Sequence, residues 1–122
     1  MPGLSGGACL TARDLARYGL LFARKGEGID GRRVGDAAFI EETRRNPGPS
    51  MPKPREWMRY SRQMYADGRC IGHSGYAGQY LVANPDIGTV VVYFSVLENK
   101  SASDSEFFAT LMKMAADLTA EK

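Results

Sequence analysis

The run Val90-Val91-Val92-Tyr93-Phe94 is apolar at every position. Branched and aromatic side chains in such a row favour a strand. A strand with one wet face would alternate apolar and polar residues, so a strand over Thr89 to Val96 is expected to be buried on both faces. Helices must then cover both sides of its sheet. The C-terminal stretch supplies one cover. Ser103-Asp104-Ser105-Glu106 has the form of a capping box. Phe107, Leu111, Met114 and Leu118 follow at i, i+4, i+7 and i+11, which is one apolar stripe. The N-terminal region supplies the other. Thr11 suits an N-cap with Asp14 at N3. Ala12, Leu15, Ala16, Gly19 and Phe22 mark an apolar face, and Gly26 and Gly28 stop the helix after Arg24 and Lys25. A shorter helix follows Asp36, runs through Phe39 and Ile40, and ends before Asn46-Pro47.

Residues 46–56 carry Pro47, Gly48, Pro49, Pro52 and Pro54. They predict an extended surface loop, serving as a lid or an edge. Neither flank is large enough to stand alone, so residues 1–122 are expected to form a single domain. From Met58 the pattern shortens. Tyr60, Arg62, Met64 and Ala66 alternate with Ser61, Gln63 and Tyr65, which predicts a strand of mixed faces. Asp67-Gly68 is a hairpin signal. Cys70 to His73 is expected to be extended, Gln79 to Ala83 a strand, and Asn84-Pro85-Asp86-Ile87-Gly88 a turn. The predicted fold class is α+β: an antiparallel sheet of about three to four strands covered by helices on both faces.

A net charge of +2 with scattered arginines, and no run of five like charges, gives no case for a nucleic-acid partner. No segment approaches the length of apolar chain needed to span a membrane, so no membrane partner is expected. Met1-Pro2-Gly3-Leu4-Ser5-Gly6-Gly7 lacks the basic start and apolar core of a signal peptide, so the expected location is cytoplasmic. Cys9 and Cys70 could pair, but two cysteines make no disulfide framework, and free thiols are expected. One histidine without clustered carboxylates argues against a metal site, and no cofactor is expected.

Chemistry concentrates in His73-Ser74-Gly75-Tyr76-Ala77-Gly78-Gln79. A glycine-loosened segment entering a strand lets a ligand approach the backbone. Taken alone, His73 also fits a hydrogen-bonded histidine before a strand. The nucleophile schemes are poor. A triad of His73 with Asp67 or Asp86 is possible on paper. Cys70 lies three residues from His73, which puts the two on opposite faces of a strand. Cys9 would have to reach His73 from a helix start. Ser50-Met51-Pro52-Lys53 is a literal Ser-x-x-Lys, but that motif needs serine and lysine one helical turn apart, and Pro54 directly after Lys53 disfavours helix. Trp57, Tyr60, Tyr65, Tyr76 and Tyr80 either line a pocket or pack as core and rim.

Two passages carry a resemblance. Gly6-Gly7 leads into Leu10-Thr11-Ala12-Arg13-Asp14-Leu15-Ala16-Arg17-Tyr18-Gly19, and Gly72-His73-Ser74-Gly75-Tyr76-Ala77-Gly78-Gln79 is followed by Asn84-Pro85. Both resemble the serine β-lactamase-like superfamily of class C β-lactamases, penicillin-binding-protein-like carboxylesterases and 6-aminohexanoate-dimer hydrolases. The resemblance runs from about Ser5 to Leu118 and matches only the C-terminal part of the family's domain. It implies a partial β-lactamase-like (transpeptidase-like) fold. It also implies descended active-site positions. His73 would take the place of the lysine in the family's third motif, Ser74 would touch substrate, and Gly75 would let the strand edge lie against it. The backbone N–H of Tyr76 would serve an oxyanion hole. Tyr76, Gln79 and Trp57 are the expected substrate contacts.

The family's acylated serine, in Ser-x-x-Lys, and its Tyr-x-Asn have no acceptable counterpart here; no Tyr-x-Asn occurs in the chain. The expected function is therefore a truncated ester-, amide- or β-lactam-hydrolase domain, inactive alone. The alternatives are a small-molecule-binding module or the C-terminal half of a split hydrolase. Expected partners are a second copy or a complementary N-terminal chain, with a small organic ligand in the binding reading.

Overall fold

The computed structural model describes residues 9–45, 48–53, 55–75, 78–95 and 105–117. Two helices, α1 (Ala12–Ala23) and α2 (Ala37–Arg45), precede five strands: β1 (Arg59–Ser61), β2 (Met64–Ala66), β3 (Ile71–Gly75), β4 (Gln79–Asn84) and β5 (Thr89–Phe94). Helix α3 (Ser105–Asp117) follows. The sheet is antiparallel throughout and its order, β1-β2-β3-β4-β5, is that of the chain. This is the α+β architecture expected. Val96, Leu118 and the first half of the capping box lie outside the described residues.

The register sorts the side chains. Ile71, His73, Leu81, Ala83, Val90 and Val92 share one face; Gly72, Ser74, Tyr80, Val82, Val91 and Tyr93 share the other. Helix α1 covers the first face. Gly19 lets it approach so closely that an added Cβ would stand 2.6 Å from both Leu81 Cδ1 and Val90 Cγ1. Ile40 of α2 extends that layer in a buried cluster with Ala23, Met64, Ile71 and Ala83. On the opposite face Leu111, Met112 and Ala115 of α3 pack with Met58, Cys70, Tyr80 and Val82.

The ends of the N-terminal helices follow from their sequences. Thr11 Oγ1 accepts the Asp14 N–H at 3.1 Å, and Asp36 Oδ1 accepts from the backbone of Ala38 and Phe39. Helix α1 closes in a Schellman arrangement, with Gly26 N–H donating to Leu21 O and Lys25 N–H to Phe22 O. Lys25, not a glycine, takes the first left-handed position, at φ 54°.

Two details of the sheet differ from expectation. The strand buried on both faces is β4, where Tyr80–Asn84 are all buried; β5 is half-buried, and its Tyr93 and Phe94 are each 41% exposed. The reason is position, since β5 is the outermost strand and β4 an inner one. Second, the stretch from Arg59 to Ala66 is two short strands rather than one. Arg62 and Gln63, at φ 51° and 61°, form a two-residue turn between them, which brings the sheet to five strands. Turns of this kind normally use Asn-Gly, so the sequence hides it. Of the two roles expected for the proline-rich segment, lid or edge, its described residues take the edge. Ser50 bridges Arg59, and Met51 N–H donates to Met58 O at 2.8 Å.

Arg44 ties α2 to two turns of the sheet. Its buried guanidinium meets Glu41 at 2.6 Å and Asp86 at 2.9 Å, and donates to the carbonyl of Gly68. The hydrogen bond from Arg44 holds the Glu41 carboxyl below its ordinary value.

Candidate functional site

His73 stands at the middle of β3. On one side β3 pairs along its whole length with β4, from Ile71↔Ala83 to Gly75↔Gln79. On the other side β2 pairs only with Ile71 and Gly72. Among the described residues, the edge of His73-Ser74-Gly75 is therefore open, and its backbone is available to an extended ligand.

The imidazole projects onto the α1 face. The Tyr18 ring lies 6.4 Å from it, tilted by 32°, and Phe22 meets Tyr18 edge-on at 5.0 Å. Gly19, by letting α1 settle onto the sheet, puts its neighbour Tyr18 beside β3. These rings, with Phe39, Met64, Gln63 and Arg62, wall a groove of about 460 Å³. Burial pushes the His73 imidazole below its ordinary pKa and the Tyr18 phenol above its own. Both are therefore neutral near pH 7. Arg62 is the groove's charged group. Its guanidinium lies 4.5 Å from the Phe39 ring centroid and donates to Phe39 O at 3.3 Å, Thr43 Oγ1 at 3.1 Å and Glu42 at 3.1 Å.

The other expected site residues are dispersed. Ser74, next to His73, faces the α3 side, so its hydroxyl and the imidazole are separated by the sheet. Gly75 has a reason within the fold: an added Cβ would come 3.0 Å from Gln79 Cβ on the neighbouring strand. The Gln79 amide donates to Ser95 O at 2.7 Å and fastens the end of β4 to the residue after β5. Trp57 lies in a different groove, of about 420 Å³, with Arg69, Met112 and Lys113 on the α3 side. Tyr76 lies outside the described residues. Tyr60 and Tyr65 stack across β1 and β2 at 4.7 Å, and Tyr80 packs on Phe107, so these three are packing residues.

The alternative nucleophile schemes also come apart. Asp67 Oδ1 accepts the backbone N–H groups of Arg69 and Cys70 in a turn, and Asp86 is held by Arg44. Neither lines the groove of His73. Cys70 is buried, which pushes its thiol up to about 12; Cys9 is exposed, and no disulfide joins them. Ser50 sits in a β-bridge rather than opening a helix.

The sequence model of the Beta-lactamase family matches residues 2–111. The chain belongs to the Beta-lactamase family. The match spans α1, α2, the whole meander and the first half of α3. A search of curated proteins gives no match. This β-lactamase-family chain groups no three histidine, cysteine or acidic residues around a metal-sized space among the described residues. No described helix is long and apolar enough to cross a membrane. Of the groove's aromatic walls, Phe22 read in sequence as a helix-face position, Phe39 only as part of the second helix, and Tyr18 only as part of the family-like passage. The one available signal was the alternation that set Arg62 in phase with Met64.

Proposed function

We propose that this chain supplies the histidine-bearing strand edge of a serine acyl-transfer site, with the nucleophile coming from outside these 122 residues. One observation carries the reading: the His73–Gly75 half of β3 is open on one edge while its imidazole faces an aromatic groove. An ester, amide or β-lactam carbonyl lying along that edge would meet backbone N–H donors, which stabilise charge as it develops in the transition state. A neutral His73 is in the correct state to accept a proton. Ser50 sits in a β-bridge rather than opening the helix that Ser-x-x-Lys needs, and Ser74 faces away from the imidazole. The chain alone is therefore expected to be inactive.

The test is a fluorophosphonate probe followed by intact mass measurement, with ester turnover read before and after adding a polypeptide that carries Ser-x-x-Lys and Tyr-x-Asn. An unmodified mass with turnover only in the mixture supports the proposal. A stoichiometric adduct on the chain alone overturns it.

A second reading is favoured by the groove itself, whose volume and aromatic walls fit a small organic ligand. In this reading the chain binds without catalysis.

A further inference from the structure

We infer, resting on the ligand-groove reading above, that the groove takes an apolar organic acid whose carboxylate is held by Arg62. The walls Tyr18, Phe22, Phe39 and Met64 suit an aryl or alkyl body, and no acidic residue lines the groove among the described residues. Arg62 is the only charged group among the described residues that line it. An anion entering there meets that cation and competes with the exposed Glu42 carboxylate for it.

The guanidinium is held in place for this role. Nη1 donates to both Phe39 O and Thr43 Oγ1, and the plane rests over the Phe39 ring. Two anchors and a ring contact fix its direction at little further entropic cost on binding. Nη2 pairs with Glu42 at 3.1 Å, but the Glu42 side chain is 66% exposed. A pair so open to water contributes little, and a better-placed carboxylate displaces it. Among the described residues none accepts a hydrogen bond from Nε. Nε–H and Nη2–H together form the edge that grips a carboxylate through two parallel hydrogen bonds.

The backbone points the same way. Arg62 and Gln63 both occupy left-handed positions that Asn-Gly would fill with less strain. A bulky cation stands at a turn position that local conformation disfavours, and that turn forms the groove's rim.

The experiment compares 4-phenylbutyrate with 4-phenylbutyramide, titrated against the chain at low salt and followed by NMR on the His73 imidazole. The acid is expected to bind at least tenfold tighter than the amide. Arg62→Gln should bring the two to equal affinity, and Glu42→Gln, which frees the guanidinium, should tighten the acid several-fold with little effect on the amide. Equal affinities in the unaltered chain overturn the role of Arg62 while leaving the groove a ligand site. Failure of both compounds to bind overturns the groove reading as well. An acid preference that survives in folded Arg62→Gln assigns the anion to another group and also overturns the inference. The acid–amide comparison in the unaltered chain decides even if Arg62→Gln fails to fold.

Discussion

His73 is the residue on which the candidate site turns, and its environment sets a testable sign. Burial disfavours the imidazolium, so the folded chain resists a proton that the unfolded chain accepts. Stability linked to His73 is therefore full above the unfolded value of 6.5 and declines as the pH falls through it. A proton NMR titration is expected to place the imidazole midpoint below 6.5. Tyr18→Ala, which admits water to the groove, should move it back up. A midpoint at or above 6.5 in the unaltered chain would contradict the buried setting. The candidacy of His73 was legible, because the chain's only histidine stands between glycines at the entrance of a strand. Its companions were not. Tyr18 and Phe39 sit 55 and 34 residues earlier in the chain, and only the packing of α1 and α2 onto the sheet brings them to it.

At the scale of elements, α1 is the clearest case of a helix written in its own sequence, from the Thr11 cap to the Lys25-Gly26 close. What the sequence does not state is how near it lies to the sheet. Gly19 decides that. Replacing it by alanine would favour an isolated helix by up to about 1 kcal/mol. In the folded chain the new methyl meets Val90 Cγ1, on a stiff branched side chain, so the helix must move outward. The net expectation for Gly19→Ala is a loss of about 1–2 kcal/mol in urea unfolding. Equal or greater stability would show that α1 has slack over β4 and β5. The meander hid its details for similar reasons. A two-residue turn made of Arg62-Gln63 carries no glycine or asparagine to announce it. The apolar run in β5 reports affinity for a sheet but not a place within one, and the inner place went to β4.

In the whole molecule the two sheet edges are unlike. The β1 edge is three residues long, carries Arg59 and is bridged by Ser50. The β5 edge is six residues, Thr89–Phe94, with no charge, no proline and no described strand beyond it. Charge and cover are how soluble sheets prevent unwanted pairing, and among the described residues the β5 edge has neither. Two antiparallel copies of this strand would set branched residues opposite aromatic ones without like-charge repulsion. Light scattering behind a sizing column is therefore expected to show a mass rising above 13.4 kDa with concentration, and Tyr93→Lys should suppress the rise. A chain that stays monomeric at all concentrations would show that the edge is protected by other means.

The unbroken order of the meander carries one more consequence, which concerns time rather than shape. Each strand pairs only with its neighbours in the chain, so every hairpin closes a short loop and the sheet can zip up from local contacts. Helix α1 is the exception. It precedes all five strands, yet its docking surface is made of the last two. During synthesis on a ribosome, α1 emerges before the strands that seat it. Until β5 has left the exit tunnel, the seat of α1 on β4 and β5 is incomplete, so the docking of this helix waits for the last strand.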